Sequence, residues 1–141
     1  LCKDIPFNVC TTAYNMGFEK GRIKTLADLY PDFSEHLMNI HDNIKDLMLP
    51  FQKKWYYRKE FQGSYSIKYV LPALFPDDKD LNYANLEDVH NGMEASYSFL
   101  AMQKMKSSEV ERWRSALLKY CFLDTLAMVK IWEKLREASE L

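Results

Sequence analysis

"FNVCTTAYNMGFEKGRIKTLADLY", residues 7–30, decides the fold class. Its first part, residues 7–14, is short, β-branched and aromatic, which predicts a strand. From Asn15 onward the period changes. Phe18, Ile23, Leu26, Ala27 and Tyr30 fall close to a 3.6-residue repeat, so a helix follows the strand, and Pro31 ends it. A strand running into a helix points to an α/β or α+β domain.

The pattern continues outward. In "DFSE", Asp32 and Glu35 have the spacing of a capping box, and Phe33, Leu37, Ile40 and Ile44 predict a second helix. "KDLMLPFQ" (45–52) reads as a short strand or an extended turn. Ser64 or Ser66 suits the start of a helix through "IKYVLPALF" (67–75), with Pro72 inside it or ending it. Residues 76–92 are polar and irregular. Beyond Met93 the chain is helical: one helix near 94–105, then another opened by "SSEVERW" and running to about residue 138. One strand, or as many as three, with about five helices makes a mostly helical domain. So few strands fit part of a larger fold.

The 141 residues suffice for one domain with a core. Hydrophobic residues at 48% argue against disorder, and only four glycines argue against an all-β sandwich. A net charge of −1 excludes a global pull toward nucleic acid, so any such binding needs a local patch. Three cysteines with no CxxC spacing argue against a disulfide framework and for a cytoplasmic setting. No apolar run is long enough for a membrane span. No signal peptide is visible, and a first residue other than Met suggests a piece of a longer protein.

Chemistry concentrates in three stretches. "LLKYCFLDTLAM" (117–128) carries Tyr120 and Asp124 one helical turn apart, so both leave the helix on one face. Asp124 has three readings from pattern alone: a partner for Lys119 or Lys130, a cap of a broken helix, or a metal ligand. "AYNMGFE" (13–19) places Asn15 and Glu19 where the strand becomes a helix. Asn15 suits an N-cap, and Glu19 suits the first turn or a metal. A third stretch, "QKKWYYRKEF" (52–61), mixes Lys53, Lys54, Arg58 and Lys59 with Trp55, Tyr56 and Tyr57. Cations hold phosphates and aromatic faces stack on bases, so Lys53, Lys54, Trp55 and Arg58, with Lys68 further on, are strand-binding candidates; the alternative is a solvated amphipathic segment. His36 and His41 are five apart, a poor spacing for a helical zinc pair.

Together, Asn15, Phe18 and Glu19 with Tyr120 and Asp124 resemble two of the three motifs of the proofreading-type 3′–5′ exonucleases of the ribonuclease H-like superfamily, in the subgroup with a tyrosine in its third motif. "YNMGFEKGRI" and "GSYSIKYVLPAL" resemble an uncharacterised bacterial domain family of that superfamily. The resemblance implies a partial ribonuclease H-like fold and a C-terminal piece of the whole domain. It implies cleavage of DNA or RNA with Mg²⁺ or Mn²⁺, Glu19 and Asp124 as ligands, Tyr120 orienting or helping to deprotonate the attacking water, and Asn15 bracing the second motif. A pair of ions about 4 Å apart can activate water and stabilise the leaving oxyanion, and carboxylates are the ligands they prefer. This sequence departs from the pattern twice. Glu19 stands where the family has Asp, and the first motif, Asp-x-Glu on a strand, is missing. The alternative is a non-catalytic nucleic-acid-binding or protein-interaction domain that keeps the fold.

Overall fold

The computed structural model describes residues 1–86 and 88–140. The chain divides into two compact units, residues 1–57 and 58–141. Its class is α+β, mostly helical, with one small parallel sheet.

In the first unit, β1 (Thr11–Ala13) runs into α1 (Gly17–Leu29). A 3₁₀ turn at Pro31–Phe33 leads to α2 (Ser34–Asp42), then β2 (Ile44–Asp46) and the short α3 (Leu49–Gln52). β2 lies parallel to β1, with Thr11 opposite Ile44 and Ala13 opposite Asp46. Parallel strands need a crossover connection, and α1 and α2 supply it. Ala13, Ile23, Ala27, Leu37, Ile40 and Ile44 form the core, with Met16 and Met38 at its margin. Ile23 and Ala27 are one turn apart, as the helix period requires.

Three expectations change here. The strand expected over residues 7–14 shrinks to its β-branched end. The face of α1 that packs is the one with Ile23 and Ala27, while Phe18, Leu26 and Tyr30 are exposed. The spacing of Asp32 and Glu35 does not make a capping box: Pro31 sets its own 3₁₀ turn, and the N-cap of α2 is Phe33, which offers no side-chain cap.

The second unit opens with a 3₁₀ turn at Lys59–Phe61. Gln62 and Gly63, both at positive φ, then reverse the chain into α4 (Ile67–Leu74). Ser66 occupies the N-cap position of α4 without a side-chain hydrogen bond. Pro72 lies inside α4 and removes the N–H that the Lys68 carbonyl would accept; the helix stops two residues on. The polar stretch expected to be irregular contains 3₁₀ turns at Lys79–Leu81 and Tyr83–Asn85. Asn91 caps α5 (Gly92–Met102) by accepting from the N–H groups of Met93 and Glu94, while Glu94 reaches back to the His90 N–H at 2.8 Å.

α6 (Ser107–Ser139) is one continuous helix, about 50 Å long by its rise per residue. Tyr120, Leu123, Ala127 and Ile131 form its buried stripe. α4 and α5 pack on it, and α4 contributes Val70, Leu71 and Leu74 to the buried set. Among the described residues, no helix is long and apolar enough to cross a membrane.

Candidate functional site

Asp124 has none of its expected partners. Lys130 pairs with Glu133 instead, at 3.0 Å. The carboxylate of Asp124 accepts a 2.5 Å hydrogen bond at Oδ1 from the hydroxyl of Tyr83, a buried residue in the preceding 3₁₀ turn. The Tyr120 ring lies 6.0 Å from that of Tyr83, tilted by 55°. Burial first, then the Asp124 charge and a hydrogen bond to it, push the Tyr120 pKa well above its usual value. The Tyr120 hydroxyl also lies at the N-terminus of α5, where a methyl group on Gly92 would sit 3.7 Å from it. Two phenols and one half-exposed carboxylate therefore form a cluster between α6 and the 3₁₀ turn that carries Tyr83. It reads as a neutral donor set around one anion. With its pKa raised, Tyr120 favours the protonated form, a hydrogen-bond donor.

In the first unit, Asn15 does not cap α1 with its side chain. It sits at φ +67°, a conformation that asparagine tolerates better than most residues. The backbone just ahead of α1 is held instead by Asp46, at the end of β2, while the N-cap residue Met16 has no side-chain cap. The Asp46 Oδ1 accepts from the Asn15 N–H at 2.9 Å and its Oδ2 from the Met16 N–H at 3.1 Å. The same Oδ1 accepts from the Met48 N–H at 2.9 Å, an Asx turn that starts α3. Glu19 is half-buried in the first turn of α1, with Oε2 withdrawn from water. Tyr14 stacks on Phe51 with ring centroids 6.4 Å apart. Burial, and then the Asp46 charge, raise its pKa.

Sequence reasoning missed Tyr83 and Asp46. Tyr83 carried no signal, because its partner is 41 residues away. Asp46 carried one: an aspartate just before "LMLP", where an Asx turn opens a short helix.

Of the strand-binding candidates, Lys53, Lys54 and Trp55 are exposed at the end of the first unit, just past α3. Arg58 and Lys68 line one open cavity of the second unit. Tyr120 and Asp124 are brought together as their spacing requires. Among the described residues, no three His, Cys, Asp or Glu side chains gather to hold a metal.

The raised tyrosines give the fold an alkaline limit. In the unfolded chain both phenols ionise near their usual pKa of 10.0, whereas in the folded protein they hold their protons. Above about pH 10 the folded state thus binds more protons, and stability falls as pH rises. Their contribution is fully present below about pH 10. Denaturant unfolding followed against pH is expected to show this decline, and Tyr14→Phe or Tyr120→Phe to flatten it.

Residues 1–66 match the model of a family described as a domain of unknown function (DUF2779). The match covers the first unit and ends at the N-cap of α4, so Tyr120 and Asp124 lie beyond it. No curated protein and no solved structure matches the chain.

Proposed function

We propose that the protein is a metal-dependent nuclease of the 3′–5′ exonuclease-like type, built on a ribonuclease H-like fold and hydrolysing phosphodiester bonds in DNA or RNA. The observation that carries this reading is the Tyr120–Asp124 pair. A carboxylate half open to solvent lies beside a phenol kept protonated, on one face of one helix. The resemblance gives Asp124 and Tyr120 of the second unit the roles of metal ligand and water-orienting group, and gives Glu19 of the first unit the role of metal ligand. Asn15 braces the start of α1.

The donor chemistry of Asp124 and Glu19 fits Mg²⁺ or Mn²⁺, which favour carboxylate oxygens. Their number does not fill a two-ion cage, because no three such ligands gather among the described residues. Two carboxylates are too few to hold a pair of ions, so these 141 residues alone are expected not to cleave. When bound, the ions lower the pKa of a water and neutralise the departing oxyanion.

A second reading has its own support. The Tyr83 hydroxyl on Oδ1 of Asp124 is what a structural acceptor would show. On that reading the domain binds nucleic acid or protein without catalysis. Divalent cations separate the two. For a nuclease, single-strand cleavage by the full-length protein requires Mg²⁺ or Mn²⁺ and stops with a chelator. Its melting temperature also rises with metal, by the equivalent of about 2.7 kcal/mol at a hundredfold excess over Kd. Neither cleavage nor stabilisation at millimolar metal would leave the binding domain.

A further inference from the structure

The groove on the outer face of α4 has a composition unlike the chain as a whole. Its volume is about 710 Å³, within the usual range of about 300–1,000 Å³ for ligand clefts. Arg58, Lys59 and Lys68 contribute three cations to its lining, and Glu60 one carboxylate. The whole chain carries a net charge of −1, so this surplus is local.

The sequence places these groups by ordinary means. Phe61 is buried and anchors the 3₁₀ turn that carries Lys59. The positive-φ pair Gln62 and Gly63 returns the chain to α4. On α4, Val70, Leu71 and Leu74 take the buried side. That leaves Lys68 with Pro72, one turn apart, and Tyr69 with Ala73, one turn apart, on the groove side. The floor is therefore apolar and includes a half-exposed aromatic ring, with ammonium groups beside it.

We infer that this groove binds single-stranded nucleic acid, with the Lys59 and Lys68 ammonium groups on successive phosphates and a base stacked on Tyr69. Ammonium groups alone would suit any polyanion. The ring beside them selects a polyanion that carries flat π-faces. A base inside a duplex is already stacked on its neighbours, so a single strand is favoured. The inference does not rest on catalysis at Asp124, because it concerns binding at a different surface.

The test is fluorescence anisotropy of the full-length protein with a labelled oligodeoxythymidine of about 12 nucleotides, in chelator so that nothing is cut. The double variant Lys59→Gln, Lys68→Gln is expected to weaken binding at least tenfold. It should also reduce the salt slope of log K by about 1.4, at about 0.7 for each phosphate that no longer meets an ammonium group. Tyr69→Ala is expected to weaken binding about tenfold with the salt slope unchanged, and Tyr69→Phe to bind as the parent does. All three positions are away from the buried stripe, and circular dichroism verifies folding. Affinity within twofold of the parent for both Lys59→Gln, Lys68→Gln and Tyr69→Ala would overturn the inference. So would equal competition by polyglutamate, which would mark an acidic-peptide site, or equal binding of a duplex. Salt-dependent binding by the parent that these variants lose, without metal-dependent cleavage, would remove the nuclease reading and keep this inference; metal-dependent cleavage with parent-like binding in the variants would do the reverse.

Discussion

Asp124→Asn in the full-length protein is expected to lower phosphodiester cleavage by at least about a hundredfold, the scale of losing one preorganised electrostatic group. Its melting temperature should stay within a few degrees of the parent. The substitution separates charge from shape. Asparagine keeps a carbonyl oxygen where Oδ1 accepts the Tyr83 hydroxyl, so the pairing that fixes the 3₁₀ turn to α6 survives. It loses the negative charge, and a metal ligand cannot spare that. Asp124→Ala removes both. It leaves the hydroxyls of two buried phenols, Tyr83 and Tyr120, without that acceptor, at a cost of about 1–3 kcal/mol. If Asp124 is only a structural acceptor, the order reverses: Asn is silent in every assay, and Ala acts through stability alone. Cleavage by Asp124→Asn at the parent rate would end the nuclease reading.

The contrast between Asp124 and its neighbours shows how far the sequence could be read. Position on a helix was legible: a four-residue spacing fixes Tyr120 and Asp124 on one face whatever else the chain does, and α6 follows its period to Ser139. The choice of face was not legible in α1. Phe18 and Leu26 are larger than Ala27, yet Ala27 is buried, because the elements that pack there, α2 and the sheet, leave room for a small side chain. Partners were the least legible. The Tyr83 hydroxyl reaches Asp124 across 41 residues, and nothing local in "LNYAN" announces it. Local chemistry also misled where two local rules competed. Asp32 and Glu35 have capping-box spacing, but Pro31 fixes the backbone first. Asn15 looks like a cap, but it stands one residue before the N-cap Met16 with a left-handed backbone, and Asp46 anchors that entry instead.

That exchange of roles carries the largest expected effect on stability. Asp46→Ala is expected to destabilise the first unit by about 3 kcal/mol, since one carboxylate accepts from three backbone N–H groups and each such bond contributes about 1 kcal/mol or more. Two of the three lie at the entry to α1 and one at the entry to α3, so both helix starts lose their anchor together. The loss also falls at the seam of the sheet, because Asp46 pairs with Ala13 in the register of β1 and β2. Asp46→Asn should fall between Asp46→Ala and the parent. Its remaining oxygen can serve Asn15 and Met48, but its amide nitrogen would face the Met16 N–H, a donor opposite a donor. Hydrogen exchange locates the effect. Protection at Asn15, Met16 and Met48 should drop first in Asp46→Ala, ahead of the buried stripe of α6. A uniform loss of protection across both units would contradict a local anchor. Asn15→Gly supplies the control: glycine adopts φ +67° freely and keeps the N–H that Asp46 accepts, so stability should hold. If Asn15 braces the nuclease site with its side chain, cleavage should fall in that variant while the hydrogen-exchange pattern stays as in the parent.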